Sequence, residues 1–266
     1  MKLCMMSSVL GFDQPLEVID TALFCGMEAV DWIFPAERDI DPAFLRKISI
    51  DAGLKIAAYT SLFGAFIKGE KDWQDKFKIE LDKALALGAS VMMIPPVASP
   101  NQYSLADDRQ AWKRFYSWAA PEAANLGIKL SLESTGMVNS PVTLASEVLE
   151  ILEEVPDLRV TLDYGNMATG GDSPENIRSL SGKIVHIHLK DWKISPQHIE
   201  KSTLKRNGQY FANAMIGTGD LDVKDSWDVL SEKDKECFVN LETADFSGRL
   251  PVKEALKEVS DFLRSW

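Results

Sequence analysis

Helical patterns in this chain end repeatedly at glycine, and within one or two residues a short apolar run begins: Cys25-Gly26, Ala52-Gly53, Leu87-Gly88, Leu126-Gly127 and Ser181-Gly182. Glycine past the last helical turn takes the left-handed conformation that closes a helix. The runs that follow are too brief for helices and rich in Val, Ile and Met, which fits parallel strands covered on both faces. Repetition of this unit predicts successive βα modules rather than separate domains.

The pattern predicts strands near 3–9, 29–32, 54–59, 90–94, 129–133, 159–163, 184–190 and 237–242. Helices are expected over 15–25, 41–52, 71–87, 105–126, 140–155 and 252–266, with shorter ones over 173–180 and 226–230. Pro15 after Asp13 and Pro42 after Asp41 read as helix starts. Eight alternations in roughly 250 residues have the size of a (β/α)₈ barrel. An open doubly wound sheet needs no closure, but it rarely runs to so many strands, and no Gly-x-Gly-x-x-Gly follows the first one. The expected fold is therefore α/β, a single (β/α)₈ TIM barrel over residues 1–266. Its longest connection, about 192–225, shows little periodicity and follows the seventh strand, so it would lie over the mouth as a lid or a mobile loop. Lys193, Lys201, Lys205 and Arg206 give it a local positive character.

Four strands carry more than packing. Lys129-Leu-Ser-Leu-Glu133, Arg159-Val-Thr-Leu-Asp163 and Phe238-Val-Asn-Leu-Glu242 alternate apolar with polar residues and end on a carboxylate. Ile184-Val-His-Ile-His-Leu-Lys-Asp-Trp192 puts His186, His188 and Lys190 on one parity, where a core would want Val or Ile. Parallel barrel strands all end on one rim, so Glu133, Asp163, His188 and Glu242 are expected to be neighbours. Two Glu, one Asp and one His suit a single hard or borderline divalent ion. Beneath them Ser131, Thr161, His186 and Asn240 would form a polar layer that orients the ligands.

Composition narrows the partners. A net charge of -11 disfavours a nucleic-acid surface, which needs a dense Lys/Arg face. No run approaches the ~18 consecutive apolar residues of a membrane span. Three scattered cysteines, Cys4, Cys25 and Cys237, and a start that reads as a first buried strand rather than a targeting segment point to the reducing cytoplasm.

The chain resembles the xylose-isomerase-like barrel superfamily, which includes ketose 3-epimerases and inosose dehydratases. The resemblance spans the whole chain and rests on Leu-Ser-Leu-Glu133, Leu-Asp163-Tyr-Gly-Asn166, His-Ile-His188-Leu-Lys-Asp191 and Asn-Leu-Glu242. The Gly217-Thr-Gly219-Asp220-Leu-Asp222 turn is similar to the Gly-x-Gly element that commonly precedes the seventh helix. The resemblance implies that Glu133, Asp163, His188 and Glu242 ligate one divalent ion (Mn²⁺, Mg²⁺, Co²⁺ or Zn²⁺). It also implies that Glu133 abstracts a proton next to a carbonyl and Glu242 returns one from the opposite face, through an enediolate. The substrate would be a keto- or aldo-sugar or a related polyol, and a homo-oligomer is common in the family. Where ketose 3-epimerases carry a His three residues after the Asp and an Arg after the His, this chain has Asn166 and the Trp192-Lys193-Ile194 stretch. His-Leu-Lys-Asp is closer to the inosose-dehydratase side, with Lys190 contacting substrate or assisting proton transfer.

Substrate contacts are expected from Asn166, Lys190, Arg206 and the aromatic residues Trp32, Tyr59 and Trp192, with Phe34 and Phe246 as further walls. The rival chemistry expels a β-hydroxyl, making the enzyme a dehydratase or lyase of inosose-like or 3-keto substrates. An endonuclease IV-like phosphodiesterase needs a multi-zinc cluster that three histidines cannot supply. A non-catalytic sugar-binding barrel is disfavoured by the presence of both glutamates.

Overall fold

The computed structural model describes residues 1–10, 14–34, 40–100 and 104–266, with Phe34 described by its backbone alone. Asp13, the expected lead-in to the first helix, and the Phe34 side chain, an expected pocket wall, lie outside the described residues.

Eight parallel strands close into a barrel: β1 (Lys2–Met6), β2 (Ala29–Phe34), β3 (Lys55–Ser61), β4 (Val91–Met93), β5 (Lys129–Glu133), β6 (Arg159–Asp163), β7 (Ile184–Leu189) and β11 (Phe238–Leu241), which returns to pair with β1. Around it lie α1 (Pro15–Phe24), α2 (Pro42–Asp51), α3 (Trp73–Leu87), α4 (Leu105–Asn125), α5 (Ala145–Glu154), the short α6 (Tyr164–Ala168), α7 (Val223–Asp228) and α8 (Val252–Leu263). This is the expected (β/α)₈ architecture. The glycines that close the helical patterns, Gly26, Gly53, Gly88, Gly127 and Gly182, take φ between +64° and +79°. Asp41 caps α2, its carboxylate accepting from Ala43 N–H.

Strand Leu, Val and Ile side chains fill the layer between barrel and helices, as Leu130, Leu132, Val160 and Val239 show by being fully buried. On the α3–α4 side this layer is aromatic. Phe115 lies 5.5 Å edge-on from Phe77, and Trp73 packs edge-on against Trp118 at 4.8 Å. Such pairs add about 0.5–1.5 kcal/mol each beyond the area they bury.

Four local expectations are corrected. The first strand stops at Met6, and Ser7–Leu10 form a 3₁₀ turn in which Ser7 accepts from Ile33 N–H. The fifth helix begins at Ala145 rather than near 140, because Pro141 offers no N–H and the Glu147 carboxylate accepts from Thr143 and Leu144 N–H. The segment Pro174–Leu180 is 3₁₀ rather than α. The seventh helix lies earlier than expected, over Val223–Asp228.

The connection after β7 is not an irregular loop. Residues β8 (Asp191–Ser195), β9 (Thr203–Leu204) and β10 (Tyr210–Ala214) form a three-stranded antiparallel sheet in the order β8-β10-β9. Two clamps fix it to the rim. The Asp191 carboxylate accepts from Gly217 N–H (3.0 Å), Gly219 N–H (2.8 Å) and Leu221 N–H (3.3 Å), which shapes the Gly-x-Gly turn. A Cβ on Gly219 would stand 2.0 Å from Asp191 Oδ1, so this turn admits only glycine there. Arg206 forks onto both oxygens of Glu147 at 2.8 Å each, and Asn207 N–H donates to Thr169 O just past α6. Asp191→Ala would remove the acceptor of the buried Trp192 N–H and of the part-buried or exposed Gly217, Gly219 and Leu221 N–H groups, each hydrogen bond being worth about 0.5–1.5 kcal/mol net. A urea titration should show a loss of at least about 2 kcal/mol, and a change below about 0.5 kcal/mol would contradict the clamp.

Glu147 also carries a pH dependence. Burial pushes its carboxyl up, but the Arg206 hydrogen bonds and the Thr143 and Leu144 amides outweigh it and hold the group below the ordinary range. A carboxylate depressed in the folded state contributes stability that is complete above its unfolded pKa and is lost as pH falls through the folded value. The stability gap between wild type and Glu147→Gln should therefore be widest at neutral pH and shrink in acid. A gap that widens as pH falls would contradict the assignment.

Candidate metal centre

Parallel register decides which side chains meet. Asp163 on β6 is level with His188 on β7, Asn240 on β11 is level with His188 from the other side, and Glu133 on β5 is level with Thr161. Glu242 follows directly after β11, its N–H donating to Leu189 O at 2.9 Å. The structure thus brings Glu133, Asp163, His188 and Glu242 together, with one potential ligand atom from each lying within 4.8 Å of all the others. His188 Nδ1 stands 2.8 Å from Glu133 Oε1 and 2.9 Å from Glu242 Oε1. Lys190 Nζ pairs with Asp163 Oδ2 at 2.8 Å and with Glu242. Asn166 holds Asp163 twice, through its backbone N–H and its amide, both at 2.9 Å, and donates to Ser134 O.

Close approach of backbone keeps this corner tight. A Cβ on Gly165 would sit 2.3 Å from Lys190 Cγ, so the chain after Asp163 needs glycine for the lysine stem to pass. Trp192 Nε1 donates to Gly165 O at 2.9 Å, placing the indole beside the same corner.

The carboxylates crowd one another and are answered here by His188 and Lys190. Burial raises the Asp163 carboxyl, Lys190 opposes it, and Glu242 and Glu133 push it further, to about 7. His188 is driven the other way. Burial favours the neutral ring, but Glu133, Asp31 and Glu242 win and lift it well above its ordinary value. Lys190 is likewise raised: burial works against its charge, and Asp163, Glu242 and Glu133 overcome it. Three carboxylates and an imidazole crowded into one dry spot fit a divalent ion by charge and by donor type.

Sequence reasoning missed a further member of this site. Asp31, on β2 and fully buried, has its Oδ2 3.0 Å from His186 Nε2 and 3.3 Å from His188 Nε2, and its Oδ1 accepts from Thr60 Oγ1 at 3.1 Å. Burial pushes its carboxyl up, yet the two histidines hold it below the usual range. His188 therefore belongs to two groups, using Nδ1 toward the glutamates and Nε2 toward Asp31. The signal was a carboxylate inside Ala29-Val-Asp31-Trp-Ile33, on the opposite parity from the outward Trp32. In the expected polar layer, Ser131 and Thr161 bond each other at 2.8 Å and His186 bonds Asp31, while Asn240 is fully buried without a protein partner among the described residues.

The structure places three nominated substrate contacts on partners other than the four clustered side chains. Trp32 points outward, its Nε1 donating to Ser49 Oγ on α2 at 3.1 Å. Tyr59, level with Trp32, also points outward and hydrogen-bonds Glu80 on α3. Strand-end position suggested both, but strand parity turns them toward the helices. Arg206 is committed to Glu147. Asn166 and Lys190 are at the centre. Phe246 lines a cleft of about 350 Å³ that opens beside Glu242, together with Met6, Ser8, Val9 and Asn213.

A closed parallel barrel with acidic and histidine side chains gathered on one rim is a (β/α)₈ barrel with a candidate metal-binding cluster. The sequence profile of the xylose isomerase-like TIM barrel matches residues 19–266, and the chain belongs to that family. No curated protein matches it by sequence. Among solved structures it is similar to the IolI protein with a binding zinc atom, at 17% identity and TM-score 0.80, covering 100% of this chain and 97% of that one. It is similar to D-psicose 3-epimerase crystallised in the presence of D-fructose, at 16% identity and TM-score 0.78, covering 100% and 99%. It is also similar to the "probable 3-DHS dehydratase AsbF" from Bacillus anthracis, at 17% identity and TM-score 0.77, covering 99% and 98%. Against a fusion of such a barrel with 4-hydroxyphenylpyruvate dioxygenase it spans 42% of the longer chain. Among the described residues no helix is long and apolar enough to cross a membrane.

Proposed function

We propose that this protein is a divalent-metal-dependent isomerase or epimerase of a keto- or aldo-sugar or related polyol, working in the cytoplasm. The observation that carries the proposal is the convergence of Glu133, Asp163, His188 and Glu242 within 4.8 Å, at the rim where barrels of this kind do their chemistry. These four side chains would hold the ion, be it Mn²⁺, Mg²⁺, Co²⁺ or Zn²⁺. Bound there, it supplies Lewis acidity toward the substrate's oxygens.

Glu133 and Glu242 reach His188 Nδ1 from β5 and from the end of β11, strands that lie on opposite sides of β7 in the barrel order. Glu133 takes the proton from the carbon next to the carbonyl, and Glu242 delivers one from the other face. Lys190 and Asn166 hold Asp163 and hydrogen-bond substrate hydroxyls. Asp31 and His186 act from below: Asp31 fixes the ring of His188 so that Nδ1 faces the centre. Trp192 walls the site, and the β8–β10 sheet covers the mouth as a lid.

A second reading rests on Lys190. An ammonium bonded to Asp163 and Glu242 at the reacting centre can protonate a departing β-hydroxyl, which would make the enzyme a dehydratase. A screen of ketoses, inososes and keto-glycosides in deuterated buffer with Mn²⁺ separates the two. Deuterium uptake without loss of water supports the isomerase, and an enone absorbance supports the dehydratase. No uptake and no enone with any of them would remove both.

A further inference from the structure

The basic residues of the 191–214 segment are sorted by the structure into paired and unpaired. Lys193 pairs with Asp220 at 3.0 Å, and Arg206 with Glu147. Lys205, half-buried, has no carboxylate within ion-pair distance among the described residues, and its Nζ lies over the Trp192 ring, 5.2 Å from the centroid. Its place is fixed by backbone: Lys205 N–H donates to Gln209 O, and two residues on Asn207 N–H donates to Thr169 O. Trp192 in turn bonds Gly165 O, against which the Lys190 stem packs. Lys205, Trp192, Gly165 and Lys190 therefore form one continuous wall leading to the four clustered ligands. Burial and then the nearby charge of Lys190 pull the Lys205 ammonium below its ordinary range, as befits a cation with no counter-charge.

Charge balance gives this lysine a purpose. Once a divalent ion is bound, it and the Lys190 ammonium together neutralise Glu133, Asp163 and Glu242, and Lys205 is left as surplus positive charge on the wall. A half-buried ammonium that no protein carboxylate answers is free to form a charge-assisted hydrogen bond with an anion brought by the ligand. We infer that Lys205 is an anion-recognising residue and that the natural substrate is a sugar or polyol carrying a carboxylate or phosphate group. This rests on the metal-dependent reading above.

The test needs no turnover. Mn²⁺-loaded wild type, Lys205→Met and Lys205→Arg are titrated calorimetrically with D-gluconate, inorganic phosphate and sorbitol, and Mn²⁺ content and melting temperature are read on the same samples. At least one anion should bind wild type more tightly than sorbitol does. Its affinity should fall about tenfold in Lys205→Met and recover to within about threefold in Lys205→Arg, with sorbitol unchanged. Gluconate responding alone names a carboxylate, and phosphate responding alone names a phosphate. Equal anion affinity in wild type and Lys205→Met, or no preference for either anion over sorbitol, would overturn the inference. If proton exchange fails with every sugar while this discrimination holds, the chemistry falls and the anion subsite stands. The reverse pattern removes only the subsite.

Discussion

Glu133→Gln should lower metal-dependent proton exchange with solvent by roughly 10²–10⁴-fold, the span over which a positioned general base acts. Gln keeps the size of the side chain and one carbonyl oxygen, so the loss should fall mainly on the chemical step. The side chain is nearly buried and His188 Nδ1 is 2.8 Å away, which fixes where its oxygen sits before any substrate arrives. Exchange should be measured at saturating Mn²⁺, so that a weaker metal site is not mistaken for a lost base. Under that condition an exchange rate within threefold of wild type would show that another group takes the proton. Glu242, whose Oε1 stands 2.9 Å from His188 Nδ1, would then be the first alternative to examine.

Asp31→Ala should weaken Mn²⁺ binding by about 10–100-fold, although Asp31 is not among the four clustered candidate ligands. Its Oδ2 is the acceptor that faces Nε2 of both His186 and His188. A proton kept on Nε2 of His188 leaves the Nδ1 lone pair free to ligate, so the carboxylate sets the tautomer as well as the ring angle. Removing it leaves two buried imidazoles without their acceptor, which should also lower the melting temperature of the metal-free protein. Ring ¹⁵N shifts of His188 in that metal-free state give a readout independent of activity. Wild-type Mn²⁺ affinity with unchanged ring shifts would reduce Asp31 to a packing role.

Periodicity and punctuation made most of the architecture legible. Each helix-ending glycine and each short β-branched run is a local signal, and closure follows from repeating the unit eight times. The centre was legible for a related reason: Glu133, Asp163, His188 and Glu242 end or nearly end their strands, where an apolar residue would be ordinary. Asp31 was less visible because it sits within β2, flanked by residues that read as core. Parity would have found it, and the same parity argues against Trp32 and Tyr59. The antiparallel sheet after β7 was hidden by an uneven spacer, with Gln197–Lys201 lying outside its strands. Arg206 looked available because its partner, Glu147, is 59 residues away in sequence. Ionic pairing over that distance leaves no periodic trace, so the adjacent Lys205 could be told apart from it only in three dimensions.

The most direct measurement is the number of divalent ions held per chain, by calorimetry and elemental analysis, for wild type and Asp163→Ala. The arrangement of two glutamates, an aspartate and an imidazole predicts one Mn²⁺ per wild-type chain, and its loss from the folded Asp163→Ala protein. A wild-type chain that retains no ion, or a variant that retains it as tightly as before, would contradict the proposed centre and the chemistry built on it.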